Sequence, residues 1–326
     1  MENATGQSSL QEEIKIIIVK GVGVWFLFVS CFLLLLAGCD REVPRIDSTQ
    51  AVHPQQVTET TDSRPPLRIA VAAMISPETT RQYYEELLRL IAEQMGRQAI
   101  FLQRQTYAEV NDLVKNRQVD LAFVCSGPYT HGHTDFGMEL LAVPVVHGEK
   151  VYHSYIIVYK ESKINSFDEL RGKKFAFTDP QSNTGSLVPT YMLAKRGETP
   201  KSFFQEFFYS HSHDNSIKAV ADQLSDGAAV DSLIWEFFQK LDPKLTGKTR
   251  IIERSPPYGI PPIVVHPDLD PATKAELKKI FLSFHQQASA QAVLANLQIE
   301  SFAEGDDAMY DSVREMERWL ASRQGK

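Results

Sequence analysis

Between residue 67 and the C-terminal region the sequence keeps switching its hydrophobic period. Short apolar runs at 67–73, 99–102 and 121–125 read as buried strands. Between them, 78–95 carries Tyr84, Leu87, Leu88 and Ile91 at helical spacing and stops at Gly96, and 107–116 reads as a second helix. A β-α-β-α-β order predicts a mostly parallel sheet with helices on both faces. Further strands are expected at 140–146 and 152–159. The alternation then restarts: short helix 167–170, strand 174–177, helix 187–195, strand 204–209, helix 216–224, strand 228–231, helix 233–241, strands 251–254 and 263–266. Helices at 271–287 and 307–321 close the chain. Two consecutive α/β units predict two lobes, which a chain of 326 residues can supply. A net charge of −7 argues against a general nucleic-acid binder, and three cysteines are too few for a disulfide scaffold.

The first 66 residues do not share this pattern. Residues 22–38 are almost continuously apolar, Lys15 and Lys20 precede them, and the run ends Leu36-Ala37-Gly38-Cys39. A basic flank, an apolar core and small residues before a break make an export signal. The cysteine directly after Leu-Ala-Gly makes it resemble a bacterial lipoprotein signal. That resemblance implies cleavage before Cys39 and a lipid on its thiol; a plain membrane anchor at the short limit for a span is the alternative. Asp40 after the cysteine resembles the inner-membrane retention signal of many Gram-negative lipoproteins. Residues 40–66 are polar, contain Pro44, Pro54, Pro65 and Pro66, and read as a flexible tether. The expected division is signal 1–38, tether 39–66, a first lobe of 67–155 plus 261–326, and a second lobe of 156–260, with crossings near 151–160 and 260–266.

Ligands of open α/β sheets sit beyond the C-terminal ends of strands, so the loops there are the place to look. The richest is Thr178-Asp179-Pro180-Gln181-Ser182-Asn183-Thr184-Gly185-Ser186, between a strand and a helix. Backbone N–H groups of a first helical turn, joined by Ser and Thr hydroxyls, make a donor-rich cradle for a tetrahedral anion. An N-cap with its turn would account for one such hydroxyl residue.

This loop resembles the Asp-Pro-x-Ser-x-Ser/Thr-Gly loop of the phosphate/phosphite/phosphonate-binding proteins of ABC importers. Gln118-Val119-Asp120-Leu121-Ala122 with Gly127-Pro128-Tyr129, Tyr152-His153-Ser154-Tyr155, Ser210-His211-Ser212-His213-Asp214 and Asp226-Gly227-Ala228-Ala229-Val230-Asp231 resemble further segments of that family. The resemblance implies an α/β, two-lobed type II periplasmic-binding-protein fold with the ligand between the lobes. It implies that Ser182, Asn183 and Thr184 hold ligand oxygens and that Tyr129, His213 and Asp231 complete the pocket. It implies a monomer without cofactor or catalytic activity. Such a chain hands a small phosphorus oxyanion (phosphate, phosphite or phosphonate) to a permease and its ATPase on the periplasmic side of the cell membrane. Asn183 stands where the family often has Thr. Tyr258-Gly259-Ile260-Pro261-Pro262-Ile263 lacks the acid many members carry nearby, which argues against an aminoalkyl ligand.

Two other functions are kept beside this one: a lipid-tethered sensor reporting to a membrane kinase, and a zinc-dependent hydrolase. The second rests on His131-Gly132-His133-Thr134-Asp135, which partly resembles the zinc motif of metallo-β-lactamase-like hydrolases but continues with Phe136 instead of His. As a structural feature that stretch reads as a polar loop near the cleft. Cys125, ending an apolar strand, reads as a buried thiol. Met309, Val313, Met316 and Leu320 read as a packing stripe, and 286–291 as a polar break between the last helices.

Overall fold

The computed structural model describes residues 64–324. The signal, Cys39 and the tether before residue 64 lie outside the described residues. In chain order the elements are β1 (Leu67–Val71), α1 (Pro77–Gln94), β2 (Ala99–Leu102), α2 (Tyr107–Lys115), β3 (Leu121–Phe123), α3 (Ser126–Phe136), β4 (Glu139–Val145), β5 (Val151–Tyr152) and β6 (Ser154–Tyr159). A 3-10 turn (Phe167–Leu170), β7 (Lys174–Phe177), a π turn (Asn183–Leu187), α4 (Val188–Lys195), β8 (Glu206–Tyr209), α5 (His213–Ala221), β9 (Gly227–Asp231), α6 (Ser232–Leu241) and β10 (Thr249–Arg254) follow. The chain ends with β11 (Tyr258–Gly259), β12 (Ile263–Val265), α7 (Pro271–Ser283), α8 (Ala288–Leu297), β13 (Ser301–Ala303), a 3-10 turn (Asp307–Tyr310) and α9 (Asp311–Gln324).

Two sheets carry these elements. One is ordered β13-β4-β12-β3-β1-β2, the other β10-β6-β9-β7-β8. β1, β2 and β3 run parallel, as do β7, β8 and β9. Each sheet also accepts one antiparallel strand that has come across from the other lobe: β6 lies between β9 and β10, and β12 between β3 and β4. Both sheets therefore share one order, and the two crossings meet as the short antiparallel ribbon β5–β11. Swapping a strand each way is the arrangement of a two-lobed type II binding fold.

Helices cover both faces of each sheet, as the alternation predicts. Leu87, Leu88 and Ile91 of α1 pack with Phe281 and Leu294 on one face of the first sheet, and Tyr107, Val110 and Tyr129 pack on the other. In the second lobe Phe167, Phe175, Phe177 and Phe204 fill one face, and Ile217, Val220 and Trp235 the other.

Several elements differ from the expectation. Residues 131–135 are helical, inside α3, and not a loop. Gly127, Pro128 and Gly132 hide that helix from any hydrophobic period, although Pro is tolerated within a first turn. The strand expected over 152–159 breaks at His153, whose N–H donates to Ser232 Oγ and whose ring bonds the Ser255 carbonyl. α8 begins inside the stretch 286–291 read as a break, and β13 follows it where no element was expected. The helix expected from 216 begins at His213, capped by Ser212. Val313 and Met316 of the expected stripe are buried against Tyr152, Val188 and Tyr258, which ties α9 to both lobes near the ribbon.

The lobes touch closely at the start of α3. A Cβ added at Gly127 would lie 2.3 Å from the Gln181 carbonyl oxygen. Because backbone opposes backbone there, Gly127→Ala is expected to destabilise the chain by about 1–3 kcal/mol in urea unfolding. Unchanged stability would show that the lobes do not need this approach.

Candidate functional site

The π turn after β7 begins with Ser182 as N-cap, its Oγ accepting from Gly185 N–H at 3.0 Å. The Leu187 N–H reaches back to the Ser182 carbonyl at 2.9 Å, which widens the first turn. Such π insertions are frequent at functional sites. The turn is pressed against α5: a Cβ on Gly185 would meet Thr178 Oγ1 at 2.4 Å and the His213 ring at 3.1 Å. Glycine at 185 is what lets the imidazole lie alongside the loop.

His213 has a defined tautomer. Its Nδ1 accepts from the backbone N–H of Asp231 at 3.1 Å and lies 3.0 Å from Thr178 Oγ1. A nitrogen that accepts a peptide N–H carries no proton, so the proton sits on Nε2. Burial pushes the His213 pKa down to about 3, so the ring is neutral and Nε2–H is a donor.

Asp231 ends β9 and caps α6. One carboxylate oxygen, Oδ1, accepts from Leu233 N–H at 2.7 Å and Ile234 N–H at 3.4 Å. The other has no partner. Burial pushes the pKa up to about 7, against the helix-start N–H groups that favour the anion. The neighbouring strand brings in Ser154, paired with Asp231 in the sheet, whose hydroxyl donates to the Thr184 carbonyl at 2.6 Å.

The first lobe adds Tyr107. Its backbone N–H donates to Asp179 Oδ2 at 3.2 Å across the lobes. Its hydroxyl is buried, and burial raises its pKa well above the ordinary phenol value, with the Asp231 and Asp179 charges contributing and Ser182 opposing. Other bonds close the same gap: His213 N–H to the Met74 carbonyl at 3.0 Å, and Ser76 N–H to Asp214 Oδ1 at 2.8 Å.

Buried side-chain atoms without hydrogen-bond partners gather here: Tyr107 Oη, Asn183 Oδ1, Thr184 Oγ1, His213 Nε2 and Asp231 Oδ2. Folded proteins pair almost all such atoms, and each exception costs about 1–3 kcal/mol. Among the residues singled out by sequence, the structure brings together Ser182, Asn183, Thr184, His213 and Asp231. It does not bring Tyr129 to them. Tyr129 packs on Tyr310, its ring centroid 4.6 Å away, and its hydroxyl donates to Asp307 Oδ1 at 2.7 Å. Arg314 shares that carboxylate, so the phenol is already partnered and burial raises its pKa further.

Tyr107 is the residue sequence reading missed. It stands at the start of α2 just after parallel strand β2, behind a Thr106–Glu109 capping box, so the rule that sends one to strand ends points to it. Tyr152 also belongs here, its hydroxyl accepting from Asn183 Nδ2 at 3.1 Å. The histidines of the zinc-like stretch are placed elsewhere. His131 Nε2 lies 3.0 Å from Glu317 Oε1, and His133 Nδ1 lies 3.0 Å from the Met138 carbonyl.

The shared strand order, the exchanged strands and the donors collected between two sheets define a solute-binding protein of type II fold. The comparisons make this specific. The family model of the phosphonate ABC transporter periplasmic substrate-binding proteins matches residues 69–310. The chain belongs to that family, whose members serve transport and not catalysis, with a small phosphorus ligand and an ABC permease as partners. It is 24% identical to the phosphate-import protein of Mycolicibacterium smegmatis over 87% of this chain and 92% of that one. It is 27% identical to the phosphonates-binding periplasmic protein of Escherichia coli, over 52% of this chain and 51% of that one. Among solved structures, a phosphonate transporter binding component from Pseudomonas aeruginosa superposes with a TM-score of 0.74 at 26% identity, covering 78% of this chain and 86% of that one. The Prochlorococcus marinus protein in complex with methylphosphonate superposes at 0.72 with 20% identity, covering 78% and 98%.

The two opposite shifts predict a pH signature. Asp231, raised, stabilises the fold at low pH and loses that contribution as pH climbs from about 4 through about 7. His213, lowered, contributes fully above its unfolded value and loses it as pH falls towards about 3. Between about pH 4 and 6.5 the two slopes, each about 1.4 kcal/mol per pH unit, oppose each other. Asp231→Asn keeps a capping side chain and removes one of them. Its stability relative to the parent should therefore rise from pH 4 to 7 and level off above, read by urea unfolding across that range. A pH-independent difference would place the Asp231 pKa at its ordinary value.

Proposed function

We propose that this chain captures a phosphorus oxyanion between its lobes, with Tyr107, Ser182, Asn183, Thr184, His213 and Asp231 as its contacts. The observation that carries the reading is the set of unpartnered buried polar atoms contributed by both lobes. Tyr107 Oη, Thr184 Oγ1 and His213 Nε2 are donors suited to anionic oxygens; Ser182 adds a hydroxyl. Asp231 supplies the discrimination. Ionised, it accepts from a P–OH group; protonated, it donates to a P–O⁻ oxygen. The ionised form requires a protonated ligand oxygen, which phosphate and phosphonates can supply. The lobes close on the ligand because only the closed form makes every contact, with the β5–β11 ribbon as hinge. The first lobe then comprises 67–155 plus 261–326 and the second 156–260.

The loaded protein hands its ligand to the permease as a monomer held at the periplasmic face of the membrane by a lipid on Cys39. Transport is favoured over sensing by the family itself.

Tyr107→Phe should weaken methylphosphonate or phosphate binding by roughly 10- to 100-fold in calorimetry, the equivalent of one hydrogen bond to a charged group. The double change Ser182→Ala with Thr184→Ala should abolish it. Unchanged affinity in both would remove this cluster from the binding site. For the anchor, Cys39→Ser should release the protein from the membrane fraction and block metabolic labelling with a fatty acid; labelled, membrane-bound Cys39→Ser protein would refute lipidation there.

A further inference from the structure

We infer that the phosphorus oxyanion carried by this chain bears an apolar organic substituent larger than methyl, seated in a second cavity that opens beside Asp231. The inference rests on the oxyanion reading above and adds the chemical class of the substituent.

The cavity has a volume of about 80 Å³ and is partly open to solvent. Of the residues assigned to the oxyanion, Asp231 also lines this cavity. Met74, whose carbonyl accepts the His213 N–H, lines it too. The cavity therefore begins where the polar cluster ends. Its walls come from both lobes: Phe123 and Pro262 from the first, Ile234 and Phe237 from the second, with Ile260 at the crossing between them. Phe237 also packs with Ile75, Tyr83 and Tyr84 across the lobes, so the walls meet only when the lobes do. A group held there is buried by the same closure that buries the oxyanion.

The chemistry of the walls selects an apolar group. An inorganic phosphate presents oxygen on every side and would turn one towards the apolar wall of Phe123, Ile260 and Pro262, with the Tyr84 hydroxyl and His147 among the polar groups of the lining. A carbon substituent loses nothing there and gains from leaving water. An ammonium group is poorly served. Glu236, at the far end, already accepts from the Tyr155 hydroxyl at 2.6 Å through Oε1 and lies 3.4 Å from His147 Nε2 through Oε2. Asp231 remains, and its burial disfavours the charged form that would pair with an ammonium.

The test is calorimetry on the full chain in detergent with phenylphosphonate, methylphosphonate, 2-aminoethylphosphonate and inorganic phosphate. Phenylphosphonate is expected to bind at least about tenfold more tightly than methylphosphonate, the worth of filling an apolar pocket. Ile299→Trp, which fills the outer part of the cavity, should remove that advantage and leave methylphosphonate affinity unchanged. Retained methylphosphonate binding also shows that the variant folds, and Ile299→Phe is the smaller filling to use if it does not. The inference is overturned if phosphate or methylphosphonate binds as tightly as phenylphosphonate, if 2-aminoethylphosphonate binds tightest, or if filling the cavity leaves the preference intact. Binding of none of the four overturns the oxyanion reading itself, and the inference with it.

Discussion

The hydrogen bond from the Asp231 backbone N–H to His213 Nδ1 sets the character of the whole site. It joins the end of β9 to the first residue of α5 and assigns the imidazole proton to Nε2. Were that peptide N–H elsewhere, the ring could present a lone pair to the cleft and repel an anion. The same residue, Asp231, then spends one carboxylate oxygen on the start of α6, which fixes where the other oxygen points. One residue at a strand-to-helix junction thus orients a neutral donor through its backbone and a titratable acceptor through its side chain.

A chain with net charge −7 can bind an anion this way because the contacts are local. Neutral hydroxyls, amides and an imidazole N–H need no compensating charge, and in a dry pocket their dipoles act at nearly full strength. No cation belongs to the cluster, which leaves room for a carboxyl. A guanidinium or ammonium group beside Asp231 would hold it ionised. Without one, burial lifts it towards the second ionisation of a phosphonate, where the two groups can share a proton.

The sequence carried most of this. Strands 99–102 and 174–177 were legible to the residue because short apolar and aromatic runs are flanked there by polar residues such as Gln98, Gln103, Lys173 and Thr178. The loop of Ser182, Asn183 and Thr184 drew notice as a hydroxyl-rich strand end, whereas His213 and Asp231 were named through the family resemblance. What failed to show had a physical reason in each case. α3 is stabilised by its place between α2 and α9, not by a stripe: its buried residues Gly127, Pro128, Tyr129 and Thr130 have no amphipathic period. That hid the helix and made Tyr129 look like a cleft residue, when its partners are Asp307 and Tyr310 from the far end of the chain. Tyr107 lay in plain view but inside a helix, where an aromatic at an apolar position reads as core; only its hydroxyl, left without a partner, separates it from Tyr310, which bonds the Ile260 carbonyl.

The unpartnered atoms also explain why two lobes, and not one rigid pocket, make sense here. A closed pocket without ligand leaves five buried polar atoms unsatisfied, at about 1–3 kcal/mol each. The interlobe bonds from Tyr107, Ser76 and His213 return only about 0.5–1.5 kcal/mol apiece, and somewhat more where a carboxylate accepts. Parting the lobes would give these atoms water at the cost of those bonds and of apolar contacts such as Phe237 with Ile75, Tyr83 and Tyr84. A ligand that satisfies the cluster removes the penalty and keeps the interlobe bonds. Closure is then a report on how many of those atoms are satisfied. A chloride ion or a single carboxylate satisfies fewer of them than a tetrahedral oxyanion does, so selectivity and closure draw on the same set of atoms.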